Sequence, residues 1–512
     1  MSTNNIDKKR IAQNTLLLYV RQIIVMLVQL YSVRVVLNVL GAEDYGIFNV
    51  VAGVVMLLNF LTSTMGSATQ RFFSFALGKN DKNLLKEIFD TNIFIYAAIA
   101  LTAVLFLETA GIWFINCKLN IAAEKTTVAQ ILFHCVVFRF LTQLVTSPCI
   151  GILIAYEDMN IYAGISIFES LLNLAVVLIL PFCGFEKLAA YGMLLAISAL
   201  TVTAVYVTIC ARRYTEYSFK DIKFSQKIFK ETLDFTGWTL FGCLSTIIRT
   251  QAITILLNQF FNPVVVASRS VALNISGAVN TFASNFNTGL YPPIIKTWSG
   301  GDKEGMFHLV HWGCKITAFL TWIFAIPCLL EMEFILWLWL KTVPPDTVLF
   351  SRLILIESLI FSISLPIATA ARAPGKMKNY ELTLGIIQLL IFPTSWILLR
   401  VGCAAYITLV VAIIANMIMF FVRLFIVRAL TGLAIKPFCK FVILPVTATI
   451  VISALPAYAV KTLLPVTIIN SLFVIFLSVV LALTGILFIG FNKQERNEIV
   501  NLIFTKLQNR LL

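Results

Sequence analysis

The sequence predicts an all-α, polytopic membrane protein with 14 transmembrane helices. Three observations carry that expectation. Of its 512 residues, 59% are hydrophobic and only 12% charged, and the mean hydropathy is +0.91. Soluble domains carry about 25% charged residues. The apolar runs extend from end to end, which leaves no room for a large soluble domain. Lysine and arginine gather in alternate connections between those runs, as they do in cytoplasmic loops.

Taken in order, Met1 to Arg10 is polar and basic and lacks the apolar core and cleavage site of a signal peptide. The first span is therefore expected to stay as an anchor. Spans are expected near 11–38, 47–77, 88–115, 128–155, 160–181, 188–211, 233–260, 264–294, 307–331, 348–371, 380–400, 404–428, 437–459 and 467–491. A span needs about 20 residues, so the longer ones tilt or extend beyond the hydrocarbon. The longest outside loop, about Met332 to Thr347, is apolar and bears tryptophan, and is expected to lie on the membrane.

With the amino terminus cytoplasmic, the inside segments hold clusters such as Lys79, Lys82 and Lys86, or Arg212, Arg213, Lys220, Lys223, Lys227 and Lys230. The outside segments hold only Lys118, Lys125, Lys187, Lys341, Arg400 and Lys461. Both termini are thus placed in the cytoplasm, and the membrane is the cytoplasmic (inner) one. The net charge of +14 reflects these loops rather than a nucleic-acid partner.

The chain divides into an N-terminal six-helix lobe (1–211), a linker (212–232), a C-terminal six-helix lobe (233–428), and a final pair of helices with a cytoplasmic tail (429–512). The linker is basic, with Tyr214, Tyr217, Phe219, Ile222, Phe224, Ile228 and Phe229 interleaved. It reads as an amphipathic helix on the inner surface. A faint repeat at an offset of about 220 relates the lobes by an axis along the membrane normal. Leu37-Asn38 falls near Leu257-Asn258, and Gly78 through Asp81-Lys82 near Gly301-Asp302-Lys303.

Arginine inside the apolar runs is the strongest functional signal. A guanidinium at the bilayer centre costs at least about 2.5–3.5 kcal/mol, so it faces a polar interior. Arg21 lies about ten residues into its span, roughly 15 Å deep. Arg139 and Arg249 are equally far from span ends, whereas Arg34, Arg71 and Arg269 lie where a long side chain can snorkel to the interface. Arg139 with Glu169, and Lys315 with Glu357, are candidate structural ion pairs at matched depth on consecutive spans. Glu108 is placed to meet Arg34. Arg21 and Arg249 have no acid at their depth, so an anionic ligand would supply the missing charge.

Proline falls inside or at the end of spans at 148, 292, 293, 327, 366, 393, 445 and 456, where it can kink a helix or simply be tolerated. His308 and His311 are one turn apart with no third ligand, so no metal is expected. Ten scattered cysteines read as small hydrophobes, with Cys117 and Cys183 one candidate external disulfide. No phosphate-binding loop, nucleophile elbow or cofactor motif is found. The only acidic pair in an outside turn is Glu43-Asp44. An enzyme such as a membrane polysaccharide polymerase or glycosyltransferase would need more than this.

Leu40-Gly41-Ala42-Glu43-Asp44-Tyr45-Gly46-Ile47-Phe48 resembles the turn after the first helix of polysaccharide flippases, the lipid-linked oligosaccharide exporters of the multidrug/oligosaccharidyl-lipid/polysaccharide (MOP) superfamily. Gln70-Arg71-Phe72-Phe73 is similar too, as is Ala267-Ser268-Arg269 through Asn285-Phe286 followed by Tyr291-Pro292-Pro293-Ile294-Ile295-Lys296. The resemblance implies a MATE-like, V-shaped pair of six-helix lobes around a cationic cavity. It implies an undecaprenyl-pyrophosphate-linked oligosaccharide, moved from inner to outer leaflet by alternating access for surface polysaccharide. It implies that Arg21, Arg34, Arg71, Arg249 and Arg269 bind the pyrophosphate, matching the family by helix. The last two spans resemble those forming a lipid-tail groove in the lipid II branch.

Asn59, Thr62, Thr64, Gln70, Gln251, Asn274, Asn280 and Asn285 are candidates either for sugar hydroxyls or for interhelical hydrogen bonds. Expected partners are the lipid-linked oligosaccharide, membrane lipids and polysaccharide polymerase or assembly proteins. An inside-negative potential favours an anion moving outward by about 2.3 kcal/mol per charge per 100 mV. The alternatives are a drug or cation antiporter of the same fold, which would want cavity carboxylates, and a lipid II flippase.

Overall fold

The structure, a computed structural model, describes residues 8–56, 58–113, 125–184, 186–214, 222–261, 263–340, 343–465, 467–493 and 495–496. Among them there is no strand, and fourteen long helices follow one another. These are α1 (Lys8–Met56), α2 (Asn59–Gly78), α3 (Lys82–Gly111), α4 (Thr126–Ala155), α5 (Met159–Phe182), α6 (Lys187–Arg213) and α7 (Gln226–Phe260). Then come α8 (Pro263–Ser299), α9 (Lys303–Leu340), α10 (Thr347–Arg372), α11 (Lys378–Arg400), α12 (Ile407–Thr431), α13 (Ile435–Leu463) and α14 (Ile468–Gly490).

Among the described residues, eleven of these helices are long and apolar enough to cross a membrane, against the 14 expected spans. Of α1, α2 and α8, α1 contains a shorter apolar stretch, Leu16–Gln29. In α2, Thr64, Thr69, Arg71 and Ser74 are buried against protein, so the helix need not be apolar all round. The protein is thus an all-α, multi-pass membrane protein.

Two boundaries differ from expectation. Helical structure runs through Leu40 to Phe48, where an outside turn is expected, and continues to Met56. Glycine at 41 and 46 marks a turn in sequence, but nothing there forbids helical φ and ψ. The stretch from Met332 to Leu340 is helical too, beyond a kink at Glu331 (φ −110°, ψ 34°) four residues after Pro327. Of the linker, residues 215–221 lie outside the described residues. Residues 222–225 have no regular secondary structure, and α7 begins at Gln226. The backbone N–H groups of Lys223 and Ser225 donate to Asp90 Oδ2 (3.1 Å) and Thr91 Oγ1 (3.3 Å) on α3, and Phe224 sets its ring edge against Phe94. Tyr217 and Phe219 lie outside the described residues, as does Cys117.

The chain forms two compact units, Ala12–Leu240 and one beginning at Phe241, with the boundary inside α7. The faint repeat has a structural counterpart at one turn in each. Between α2 and α3, Asn80 takes a left-handed φ of 53°, and Asp81 caps α3 by accepting from Leu84 N–H at 3.0 Å. Between α8 and α9, Gly301 takes φ 84°, and Asp302 accepts from Gly305 N–H at 2.8 Å. The aspartates satisfy N–H donors that the first turn of any helix leaves without an intrahelical partner.

Each unit is stitched by hydroxyls and amides across the helices that bury its polar residues. In the first, Thr69, Tyr96 and Ser147 form a chain at 3.0 and 3.4 Å, and Asn92 donates to Thr69. In the second, Ser276 and Ser358 meet at 2.8 Å, and Asn280 donates to both. Buried polar groups in a membrane must be paired within the protein. Close approach matters as well. A Cβ at Gly151 of α4 would stand 3.3 Å from the Gln70 nitrogen and 3.1 Å from a Thr69 methyl on α2. Replacing Gly151 with leucine is therefore expected to separate α2 from α4. The loss is about 1–3 kcal/mol, measured as a lower melting temperature of the detergent-purified protein, while leucine at exposed Gly277 should leave melting unchanged.

Candidate functional site

Each unit brings several of the sequence-predicted charges together in a cluster. In the second unit, Arg249 of α7 donates through Nη1 to Glu357 Oε1 on α10 at 3.0 Å, and both side chains are over four-fifths buried. Asn416 of α12 donates to the same oxygen at 2.8 Å. Arg269 of α8 donates through Nη1 to Thr254 Oγ1 (2.5 Å) and to the Thr250 carbonyl (3.3 Å) on α7. Arg269 also lies within Coulomb range of Arg249 and Glu357. Two guanidiniums thus share one carboxylate. The buried Nε groups of Arg249 and Arg269 have no partner.

Glu357 and Lys315 are not paired with each other. Lys315 instead reaches Glu495 (2.5 Å) and the Gly490 carbonyl (3.3 Å) at the end of α14. Arg249, expected to lack an acid, has Glu357. Matched depth on consecutive spans fixes height but not the direction a side chain faces around its helix, and here the directions decide the pairing. Asn416 was not singled out in the sequence. Its signal was a lone amide in the apolar run from Ile407 to Phe421.

In the first unit, Glu169 of α5 lies within Coulomb range of Arg139 on α4 and Arg21 on α1. Among the described residues no direct salt bridge joins Arg139 to Glu169. Arg139 instead lines a cavity of about 110 Å³ with Asn59 and Gln143. Arg21 stacks its guanidinium over the Tyr162 ring at 4.8 Å, and its buried Nε has no partner. Tyr206 of α6 reaches Ser166 and lies near Glu169 and Arg21. Here too, two arginines share one glutamate.

The remaining sequence candidates fall elsewhere. Arg71 is buried among the rings of Phe72, Phe75 and Phe235, with centroids 4.6, 5.3 and 5.4 Å from its Cζ. The Arg34 side chain lies outside the described residues. Glu108, expected to meet it, sits 3.1 Å from His134 Nδ1. Of the polar candidates, Thr62 and Thr64 donate to carbonyls of their own helix, and Asn280 bonds between helices. Gln70 Nε2 and Asn285 Nδ2 are buried without a partner. Among the described residues no group of three His, Cys, Asp or Glu side chains is placed to hold a metal.

Residues 11–298 match the family described as polysaccharide biosynthesis protein, and the chain belongs to that family. A comparison with curated protein sequences gives no match. Solved structures of similar fold include MATE in the bent conformation (TM-score 0.72, 16% identity, 84% of this chain and 99% of that one). An outward-facing multidrug resistance MATE family transporter of the MOP superfamily gives 0.69 at 15% identity, covering 85% and 99%. A MOP superfamily transporter from Pyrococcus furiosus, described as having a binding pocket of reverse polarity that suggests a different function, gives 0.64 at 14% identity, covering 84% and 99%. At these identities the likeness is one of fold.

Removing one partner of a buried ion pair strands the other charge. Arg249→Met is expected to lower stability by about 3–5 kcal/mol, and adding Glu357→Gln should recover most of the loss. Melting of the two single variants and the double variant in detergent checks this, and an additive double variant would mean that the pair is not coupled.

Proposed function

We propose that this member of the polysaccharide biosynthesis protein family moves a lipid-linked oligosaccharide, carried on undecaprenyl pyrophosphate, from the inner to the outer leaflet of the cytoplasmic membrane. Family membership and the transporter fold support a membrane transporter in polysaccharide biosynthesis. One observation favours an anionic cargo. Each unit holds two arginines against one glutamate: Arg21 and Arg139 against Glu169, and Arg249 and Arg269 against Glu357.

Each cluster therefore carries one positive charge in excess, with guanidinium N–H groups of Arg21, Arg249 and Arg269 left without a partner. A phosphate oxygen would supply both the charge and the acceptor, and guanidinium forks suit that geometry. The excess also argues against a cationic drug as cargo, which would be repelled. Of the structural neighbours, the one described as having a reverse-polarity pocket is the apt comparison for such a charge pattern.

Arg21 over Tyr162, and Arg139 beside the amides of Asn59 and Gln143, would let the first unit hold phosphate next to polar groups able to meet sugar hydroxyls. The candidate list for phosphate contacts thus becomes Arg21, Arg139, Arg249 and Arg269. Arg71, wrapped in phenyl rings, serves packing in this reading. With no nucleotide-binding motif in the sequence, the drive would come from an ion gradient, the membrane potential or consumption of the product on the far side.

Hydrogen bonds to charged groups are worth about 1.5–3 kcal/mol. Arg21→Gln and Arg269→Gln, each confirmed folded by its melting temperature, should weaken binding of an undecaprenyl-pyrophosphate saccharide at least tenfold. A neutral prenol should bind none of the proteins. Equal binding by wild type and both variants would remove the arginines from the site and return the antiporter reading to the front.

A further inference from the structure

One cavity is lined by none of the residues of either arginine cluster. It has a volume of about 430 Å³ and sits between the kinked end of α9, the end of α13 and the start of α14. Pockets that take small ligands run from about 300 to 1,000 Å³. Most of its wall is apolar, from Trp337, Ile468 and similar side chains, but Glu331, Glu333, Lys461 and Asn470 also line it.

The kink builds this site. Non-helical geometry at Glu331 interrupts the backbone ladder of α9. Carbonyls of the preceding turn are taken up by cations from other helices: Leu329 O accepts from Arg352 Nε of α10 at 3.0 Å, and Leu330 O accepts from Lys461 Nζ of α13. Glu331 is itself 8% exposed, and its carboxylate stands 3.8 Å from Lys461, too far for a strong ion-pair hydrogen bond. Glu333 is 72% exposed, with Arg352 at 3.5 Å. The lining therefore offers two carboxylates and one ammonium around an apolar floor.

The rim of this cavity is made for lipid. Trp337, Leu338, Trp339, Ile468, Ile469 and Leu472 all expose half or more of their surface. Tryptophan at helix ends marks the interface between hydrocarbon and headgroups. By the charge pattern of the connections, this end of the helices is the outer one.

We propose that the cavity is a headgroup site for an outer-leaflet phospholipid bearing a primary ammonium, of the phosphatidylethanolamine class. The ammonium sits between Glu331 and Glu333, with the Asn470 carbonyl as a third acceptor. The phosphate lies toward Lys461. The acyl chains leave across Trp337 and Ile468. A primary ammonium donates three hydrogen bonds, which suits a lining rich in acceptors. An anionic headgroup with no cation could reach Lys461 with its phosphate but would bring no donor cation to Glu331 and Glu333. The site is independent of what the arginine clusters carry.

The test uses the full-length protein purified in mild detergent and offered phosphatidylethanolamine or phosphatidylglycerol of the same chains, with bound lipid counted by native mass spectrometry. Wild type is expected to retain phosphatidylethanolamine at least tenfold over phosphatidylglycerol. Glu331→Gln combined with Glu333→Gln should reduce that preference at least fivefold with unchanged melting. Should the double variant not fold, Glu333→Gln alone carries the comparison, because its carboxylate is exposed, and a preference reduced at least twofold is expected. Equal retention of the two lipids by wild type, an unchanged preference in the folded variants, or displacement of the lipid by a soluble disaccharide would each overturn the assignment.

Discussion

A guanidinium that cannot lose its proton, held where water is scarce, is the constraint around which this protein is arranged. Each deep arginine needs an acceptor, a counter-charge or an aromatic face from inside the protein. The three solutions all occur. Arg249 takes a carboxylate, Arg269 a hydroxyl and a carbonyl, and Arg71 a set of phenyl rings. Arg21 combines a tyrosine face with a distant glutamate and keeps a buried N–H without a partner. The incomplete cases are the informative ones, because an unmet donor in a low-dielectric setting is a place for a ligand.

Those demands propagate into the packing. Helices that carry polar and charged residues, such as α2 and α8, set their buried polar side chains against neighbours through hydroxyl and amide chains and glycine contacts such as Gly151. The price is an apolar exterior elsewhere, seen in the many exposed leucine, isoleucine and phenylalanine side chains. In each unit a left-handed residue followed by a capping aspartate starts the third helix, so the two halves repeat in local geometry as well as in charge count.

At Glu331 and Pro327, a backbone defect does similar work by different means. The kink leaves carbonyls to be capped by Arg352 and Lys461, and the cations that cap them also place charge beside Glu331 and Glu333. Irregular backbone at membrane depth survives only where protein or a cavity supplies partners. A bend, its caps and a mixed-charge pocket thus arise together.

The sequence by itself determined the class of protein and its all-helical, multi-pass character, because hydropathy and helical rise depend only on composition and spacing along the chain. It also marked the Asp81 and Asp302 turns as equivalent, since capping is a local property. It did not determine partners. Lys315 and Glu357 share a depth, yet the fold sends one to Glu495 and the other to Arg249, because rotation of each helix about its axis is set by packing. Asn416, the Gln143 side of the Arg139 cavity and the pocket below Trp337 were hidden for the same reason. The Leu40–Phe48 segment misled in the other direction. Its glycines permit a turn, but permission is not requirement, and only the tertiary structure decided that the helix continues.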